Sequence, residues 1–246
     1  SHYLGQNFSS AFEIKYLDKD GQLKNPYQTS WGVSTRLIGA LIMAHGDQRG
    51  LKLPPRVAPY QVVIVPVAAH KEGVNEKAQE IATLLRNVGV RVMLDDREQS
   101  PGWKFNEWEM KGVPVRLEIG PRDIENGQAM IARRDTHDKF AIKLDDLSTE
   151  IPALLDDIQK NMFKQSHDFL HSHIVTCHSL DEMKEALDNH NFVKTMWCGD
   201  RACEDKIKEQ FAATSRCMPF DQTPVGDVCP VCGKPAHKVI YFARAY

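Results

Sequence analysis

"YQVVIVPV", residues 60–67, decides the fold: from Val62 it runs apolar without a break and reads as a buried strand. Downstream, Val74, Ala78, Ile81, Leu85 and Val88 recur at helical spacing, and "VRVML" (90–94) reads as a second strand. Ser100 and Pro101 then supply an N-cap and a first-turn proline for a helix through about Lys111. "VPVRLEIG" and "AMIARR" read as further strands, so the segment is an α/β domain with a largely parallel sheet, and its ligand crevice is expected beyond the carboxyl ends of the strands. A helix from Ser148 to about Ser172 closes it, with Ile151, Leu154, Leu155, Ile158, Met162 and Phe169 on one stripe.

Upstream, Phe12, Ile14 and Tyr16 alternate with polar residues up to Asp20-Gly21, a hairpin turn, and predict antiparallel sheet. "GLKLPPRVAP" (50–59) has no periodicity, and its prolines 54, 55 and 59 mark a linker and a domain boundary. From Ile174 onward comes a third unit with helical "SLDEMKEALDN", two cysteine pairs and a final strand-like "HKVIYFARAY".

The 246 residues are 42% hydrophobic and 26% charged with a net charge of −2, which excludes a disordered or fibrous chain and gives no support to polyanion binding by the whole surface. The apolar run Leu37–Ala44 is far too short to span a bilayer, and no membrane segment is expected. The chain opens on Ser1 without a charged-then-apolar leader, which leads us to expect a fragment or processed chain of a cytoplasmic protein.

Three stretches carry chemistry. "CGDRAC" (198–203) and "CPVC" (229–232) give C-x4-C and C-x2-C, a spacing that lets two tight turns each offer two thiolates to one zinc, with no position left open for substrate. The alternative is four unrelated buried cysteines; a disulfide framework fits less well in a chain without a secretory leader. "KFNEWEMKGVPVRLEIGPRD" (104–123) mixes Phe105, Trp108, Glu109, Lys111, Arg116 and Arg122. Such a mixture serves either as a solvated face with packing residues or as a site where aromatics stack bases, a carboxylate accepts from guanine and cations hold phosphate. Finally, "QTSWGVSTRLIGALIMAHG" (28–46) predicts a helix apolar on nearly every face, hence buried, yet with Arg36 in its first turn, where the helix dipole repels a cation and an anion must come from elsewhere.

These stretches resemble prolyl-tRNA synthetases of the archaeal and eukaryotic type. "SHYLGQNF" resembles the loop that closes over proline, "TSWGVSTRLIGALIMAHGDQRGL" the third class II motif, "WEMKGVPVRLEIGPRD" the anticodon-binding domain, and the cysteine spacing the appended zinc domain. The closing "ARAY" resembles the family's terminal tyrosine, which folds back towards the active site. The resemblance implies the end of a class II antiparallel catalytic domain (1–57), an α/β anticodon-binding domain with a mixed sheet (58–163) and a small α+β zinc domain (164–246). It implies activation of proline by ATP with Mg2+, transfer to tRNA(Pro), and a cytoplasmic homodimer formed through an N-terminal catalytic part. Arg36 then contacts ATP as the catalytic cation, and His2, Ser30, Trp31, Gly32 and Ser34 shape the proline pocket. Phe105, Glu109 and, with a one-residue shift in "RRDTHDK", Lys139 read the two anticodon guanines, with Lys111 and Arg116 as phosphate or structural partners. Cys198, Cys203, Cys229 and Cys232 hold structural Zn2+. His70 reads equally well as a surface residue.

Class II motifs 1 and 2 do not precede Ser1, so the rival reading is a non-catalytic tRNA-binding or regulatory fragment. A different class II synthetase with the same anticodon fold is a third.

Overall fold

The computed structural model describes residues 2–245, so the reading of Tyr246 lies outside the described residues. Two units are found, Ser1–Ile158 and Gln159–Tyr246.

The first unit begins with β1 (His2–Gly5), α1 (Asn7–Ala11), β2 (Tyr16–Leu17), β3 (Leu23–Lys24), β4 (Gln28–Ser30) and α2 (Arg36–His45). β1 pairs antiparallel with β4, and β2 with β3 around Gly21, whose φ of +75° suits the turn. The expected strand from Phe12 is shorter than its alternation suggests, because Phe12 is instead the C-cap of α1 and Glu13 turns through a positive φ. The expectation of a buried α2 is overturned: none of its residues is buried, and Leu37, Ile38 and Met43 are exposed. Apolar residues on every face need cover on every face, and the described part of this unit provides too little.

Then follow β5 (Val62–Pro66), α3 (Val74–Asn87), β6 (Val92–Leu94), α4 (Pro101–Met110), β7 (Val115–Ile119), α5 (Pro121–Glu125), β8 (Gln128–Arg133), β9 (Lys139–Lys143) and α6 (Leu147–Ser172), the last running past the unit boundary. The sheet order is β6-β5-β7-β8-β9. Every residue of β5 is buried, and α3 seals the sheet with Val74, Ala78, Ile81, Ala82 and Leu85, while Val88 is exposed beyond its end. Truncating a fully buried side chain such as Leu85 to alanine removes about 2–5 kcal/mol. The sheet is less parallel than expected: β6, β5 and β7 run parallel, but β8 and β9 are antiparallel. A parallel neighbour needs a crossover of a dozen or more residues, and the link over residues 120–127 is too short.

The segment before β5 has no helix or strand, as its prolines predict, but it is fastened down. Leu51 N–H donates to Met110 O (2.9 Å), Leu53 N–H to Gly112 O (3.1 Å), and Arg91 donates to Pro55 O (2.7 Å) and Ala58 O (3.0 Å). A Cβ at Gly50 would lie 2.5 Å from Met110 O, and one at Gly112 2.6 Å from Leu51 O, so only glycine allows this crossing.

The second unit contains β10 (Ile174–Thr176), α7 (Leu180–Asp188), β11 (Phe192–Trp197), α8 (Arg201–Phe211), β12 (Ala213–Cys217) and β13 (Lys238–Arg244). Its sheet order is β10-β11-β13-β12, with only β10 and β11 parallel. Ser179 caps α7 by accepting from Glu182 N–H (3.2 Å), and Asp200 caps α8 by accepting from Ala202 N–H (3.0 Å). Met183, Leu187, Val193, Ile207, Ile240 and Phe242 form the core. Phe169, expected on the buried stripe of α6, is 66% exposed: the stripe is buried at Ile151, Leu155, Ile158 and Met162 and not beyond. No helix among the described residues is long and apolar enough to cross a membrane.

Candidate functional site

The cleft of this unit does not open beyond the carboxyl ends of the parallel strands as expected: it lies by Val63 and Arg116, near the amino ends of β5 and β7, where the antiparallel β8 brings in Arg133. At the carboxyl end of β6 stands instead a packing hub, Asp95. Its buried carboxylate accepts from Trp108 Nε1 (2.6 Å) and from Arg97 Nε and Nη2 (2.8 and 2.7 Å), and the buried Lys104 Nζ donates to its main-chain oxygen (3.0 Å). Burial alone would raise the Asp95 pKa, but the Arg97 and Trp108 bonds and the Lys104 charge outweigh it and hold the group at about 2. The hub anchors α4, whose start is set by Ser100 accepting from Trp103 N–H (3.4 Å) and by Pro101. It fixes the face that carries Phe105 and, one turn on, Glu109.

Phe105 is half-buried against Val63, Val65, Trp108 and Val113, and the Arg116 guanidinium lies 4.2 Å from its ring centroid. Arg116 Nε also donates to Glu118 Oε1 (3.1 Å), and Lys139 Nζ donates to Glu118 Oε2 (2.7 Å). Lys139, read as a loop residue, opens β9. Phe105, Arg116, Glu118 and Lys139 thus form one chain of contacts. Lys111 lies apart from it, bonded to Glu107 (2.6 Å) over the Trp108 ring.

Glu109 stands in a second cluster. Arg49 Nη1 donates to its Oε1 (3.1 Å), and His137 Nδ1 is 3.6 Å from the same oxygen. Behind it, the buried Arg134 forms a bidentate pair with Asp47 (2.9 and 2.7 Å) and donates through Nε to the Glu109 main-chain oxygen (2.9 Å). The Arg134 bonds hold the Asp47 carboxyl well below the usual range. His137 reaches between Asp47 and Glu109 from a β8–β9 turn that gives it a φ of +67°, an uncommon conformation for this residue type. A cleft of about 90 Å³ opens here, lined by Arg49, Glu109, Arg116, Arg133, Arg134 and His137 among others. One half-buried carboxylate among cations, with an aromatic ring nearby, can accept from a base edge while the cations face phosphate.

At the other end of the unit, the β1–β4 ladder sets His2 opposite Ser30. Trp31 (83% exposed), Gly32 and Ser34 follow, and Ser34 Oγ accepts from Arg36 N–H (3.4 Å). Among the described residues no carboxylate pairs with the exposed Arg36 side chain. These residues are adjacent, but they form an open surface. His70 is exposed.

In the second unit, the Sγ atoms of Cys198, Cys203, Cys229 and Cys232 all lie within 4.8 Å of one another, and these thiols form no disulfide. The Cys198–Cys203 and Cys198–Cys232 separations, 3.7 and 3.8 Å, match the roughly 3.8 Å edge of a tetrahedron with Zn–S bonds of about 2.3 Å. Cys198 follows β11 and Cys203 sits in the first turn of α8. Cys229 and Cys232 share a tight turn closed by Gly233 N–H to Cys229 O (2.8 Å) and Cys229 N–H to Lys234 O (2.9 Å). Burial pushes the Cys203 thiol up, and the Lys234 main-chain N–H draws the Cys232 thiol down. The four residues can hold a metal ion.

Sequence reasoning missed Asp47, Arg49, Asp95, Glu118, Arg134 and His137. The juxtaposition "RRDTH" was visible as charge, but nothing local marks Arg134 as the partner of a carboxylate so distant in sequence.

Two family models match: "Anticodon binding domain" over residues 61–154 and "Prolyl-tRNA synthetase, C-terminal" over residues 180–246. Proline–tRNA ligases of Clostridium novyi (strain NT) and Alkaliphilus oremlandii (strain OhILAs) are 55% and 56% identical over 247 and 248 residues, covering 100% of this chain and 52% of theirs. The crystal structure of prolyl-tRNA synthetase from Cryptosporidium parvum complexed with L-proline and AMP is similar at a TM-score of 0.93 and 39% identity, again over 100% of this chain and 52% of that one. The chain therefore spans about half the length of the relatives it matches.

Proposed function

We propose that this chain carries the C-terminal portion of a prolyl-tRNA synthetase, the anticodon-reading and metal-bearing part of a proline–tRNA ligase. The reaction is activation of proline to prolyl-adenylate by ATP, with Mg2+, then transfer to tRNA(Pro). Its divisions are 1–57, the end of the catalytic domain; 58–163, the anticodon-binding domain; and 164–246, the zinc domain.

The observation that carries the reading is the placing of Phe105 and Glu109 one turn apart on α4, with Glu109 lining an arginine-rich cleft and Phe105 under one of the cleft's arginines, Arg116. Glu109 accepts the N1–H and N2–H of an anticodon guanine. A neighbouring base stacks on Phe105 or on the Arg116 plane that covers it, and Lys139 lies within reach of the backbone. The test is binding of an anticodon stem-loop RNA to the 246-residue chain, with each guanine replaced in turn by adenine or inosine. A chain indifferent to these replacements would not be an anticodon reader.

In the catalytic portion, Arg36 neutralises developing phosphate charge, and His2, Ser30, Trp31, Gly32 and Ser34 surround proline. This is supported by the likeness to a synthetase crystallised with L-proline and AMP. Such catalysis rests on positioning and charge stabilisation rather than on a protein nucleophile. The exposed apolar surface of α2 argues that this part acts within the longer protein. Zn2+ on the four thiolates would cross-link the 229–232 turn to α8 and the end of β11, a structural role because four protein ligands leave no open position.

A further inference from the structure

The Glu109 carboxylate assigned above to guanine is already occupied. Arg49 holds Oε1 at 3.1 Å, and among the described residues Glu109 is the only carboxylate within ion-pair distance of that guanidinium. The other cleft arginines have carboxylates of their own: Arg116 has Glu118, Arg133 has Asp135 and Asp157, and Arg134 has Asp47. Arg49 also differs in freedom. Its side chain is 61% exposed, on a turn in which Asp47 accepts from Arg49 N–H (2.8 Å) and Gly50 N–H donates to Asp47 O (3.1 Å). A guanidinium and the Watson–Crick edge of guanine offer a carboxylate the same kind of partner, N–H donors, and Arg49 supplies one of them, Nη1 to Oε1.

Resting on the anticodon reading, we propose that Arg49 is a placeholder for guanine. It satisfies Glu109 in the free protein, yields the carboxylate when guanine enters, and then pairs with a backbone phosphate of the same RNA loop. His137 and Arg134 do not move with it, since the first is set by its turn and the second is pinned to Asp47 and to the Glu109 main chain. The exchange is inexpensive because the pair is open to solvent on the Arg49 side, and such a pair resists displacement by only about two- to fivefold in equilibrium constant. Without the placeholder, the half-buried carboxylate would have only the longer His137 contact, 3.6 Å, between RNA encounters.

The test is a cycle of R49A, E109Q and the double variant in the 246-residue chain, measured with stem-loop RNA carrying the guanines and with its inosine counterpart over a range of salt. R49A should change affinity less than about twofold in the wild-type background, because the lost phosphate contact is offset by the freed carboxylate. In E109Q, where Arg49 has nothing to give up, the same substitution should cost two- to fivefold more than it does in the wild type. The slope of log K against log salt should fall by about 0.7 in R49A and stay unchanged in R49K, which also controls for folding. An equal cost of R49A in both backgrounds, or an unchanged slope, overturns the exchange. If E109Q keeps the full preference for guanine over inosine, the anticodon reading itself fails and the exchange with it.

Discussion

The Trp108 indole donates to the Asp95 carboxylate at 2.6 Å, tying the last turn of α4 to the residue that follows β6. Asp95 titrates near 2 in the folded chain. A carboxyl whose folded pKa is depressed adds stability above its unfolded value and loses it as pH falls through the folded value. The urea midpoint should therefore be flat above about pH 5 and fall between about pH 4 and 2. Asp95→Asn should lower stability by roughly 3–5 kcal/mol at neutral pH, because Lys104 is left buried beside a neutral group, and should flatten the acid limb. A variant with the wild-type midpoint both at neutral pH and at about pH 3 would show that the hub contributes nothing.

Glu109→Ala should weaken binding of the guanine-bearing stem-loop by about 1–3 kcal/mol and bring the guanine and adenine loops closer in affinity. Titration by fluorescence anisotropy measures both. Uniform weakening across all loops would make Glu109 a structural residue.

One equivalent of zinc should accompany each chain purified without chelator. Cys203→Ser, at one of the two buried cysteines of the cluster, should lower both metal content and the melting temperature of the C-terminal unit. Elemental analysis giving well under one equivalent would remove the zinc assignment.

Proline-dependent ATP–pyrophosphate exchange should be absent from the 246-residue chain alone and present in the complete synthetase, where Arg36→Ala should cost about 10²-fold or more. Robust exchange by the short chain would show that other residues make the site.

What could be read in advance was local chemistry. Ser100-Pro101 marks the start of α4 because a cap and a first-turn proline act within three residues, and the cysteine pairs are legible because the members of each lie only a few residues apart. The antiparallel β8 and β9 were hidden because strand direction depends on the length of a connection rather than on composition. The Arg134–Asp47 pair joins residues 87 positions apart, a distance at which no periodicity carries information. The sequence of α2 declares apolar surface, but a pattern says nothing of what lies over it. Phe169 misled for the same reason.

The fastened segment between Asp47 and Ala58 bears on where this protein can be cut. A fragment starting at the apparent boundary, Ala58, would strip the Asp47 carboxylate from the buried Arg134 and the Pro55 carbonyl from Arg91, and would leave the Met110 and Gly112 main-chain oxygens without the donors they now have. A buried guanidinium deprived of its partner is among the costlier losses a small fold can suffer. A fragment meant to keep this sheet and its cleft intact should therefore start at Asp47 and not at Ala58, with those eleven residues attached.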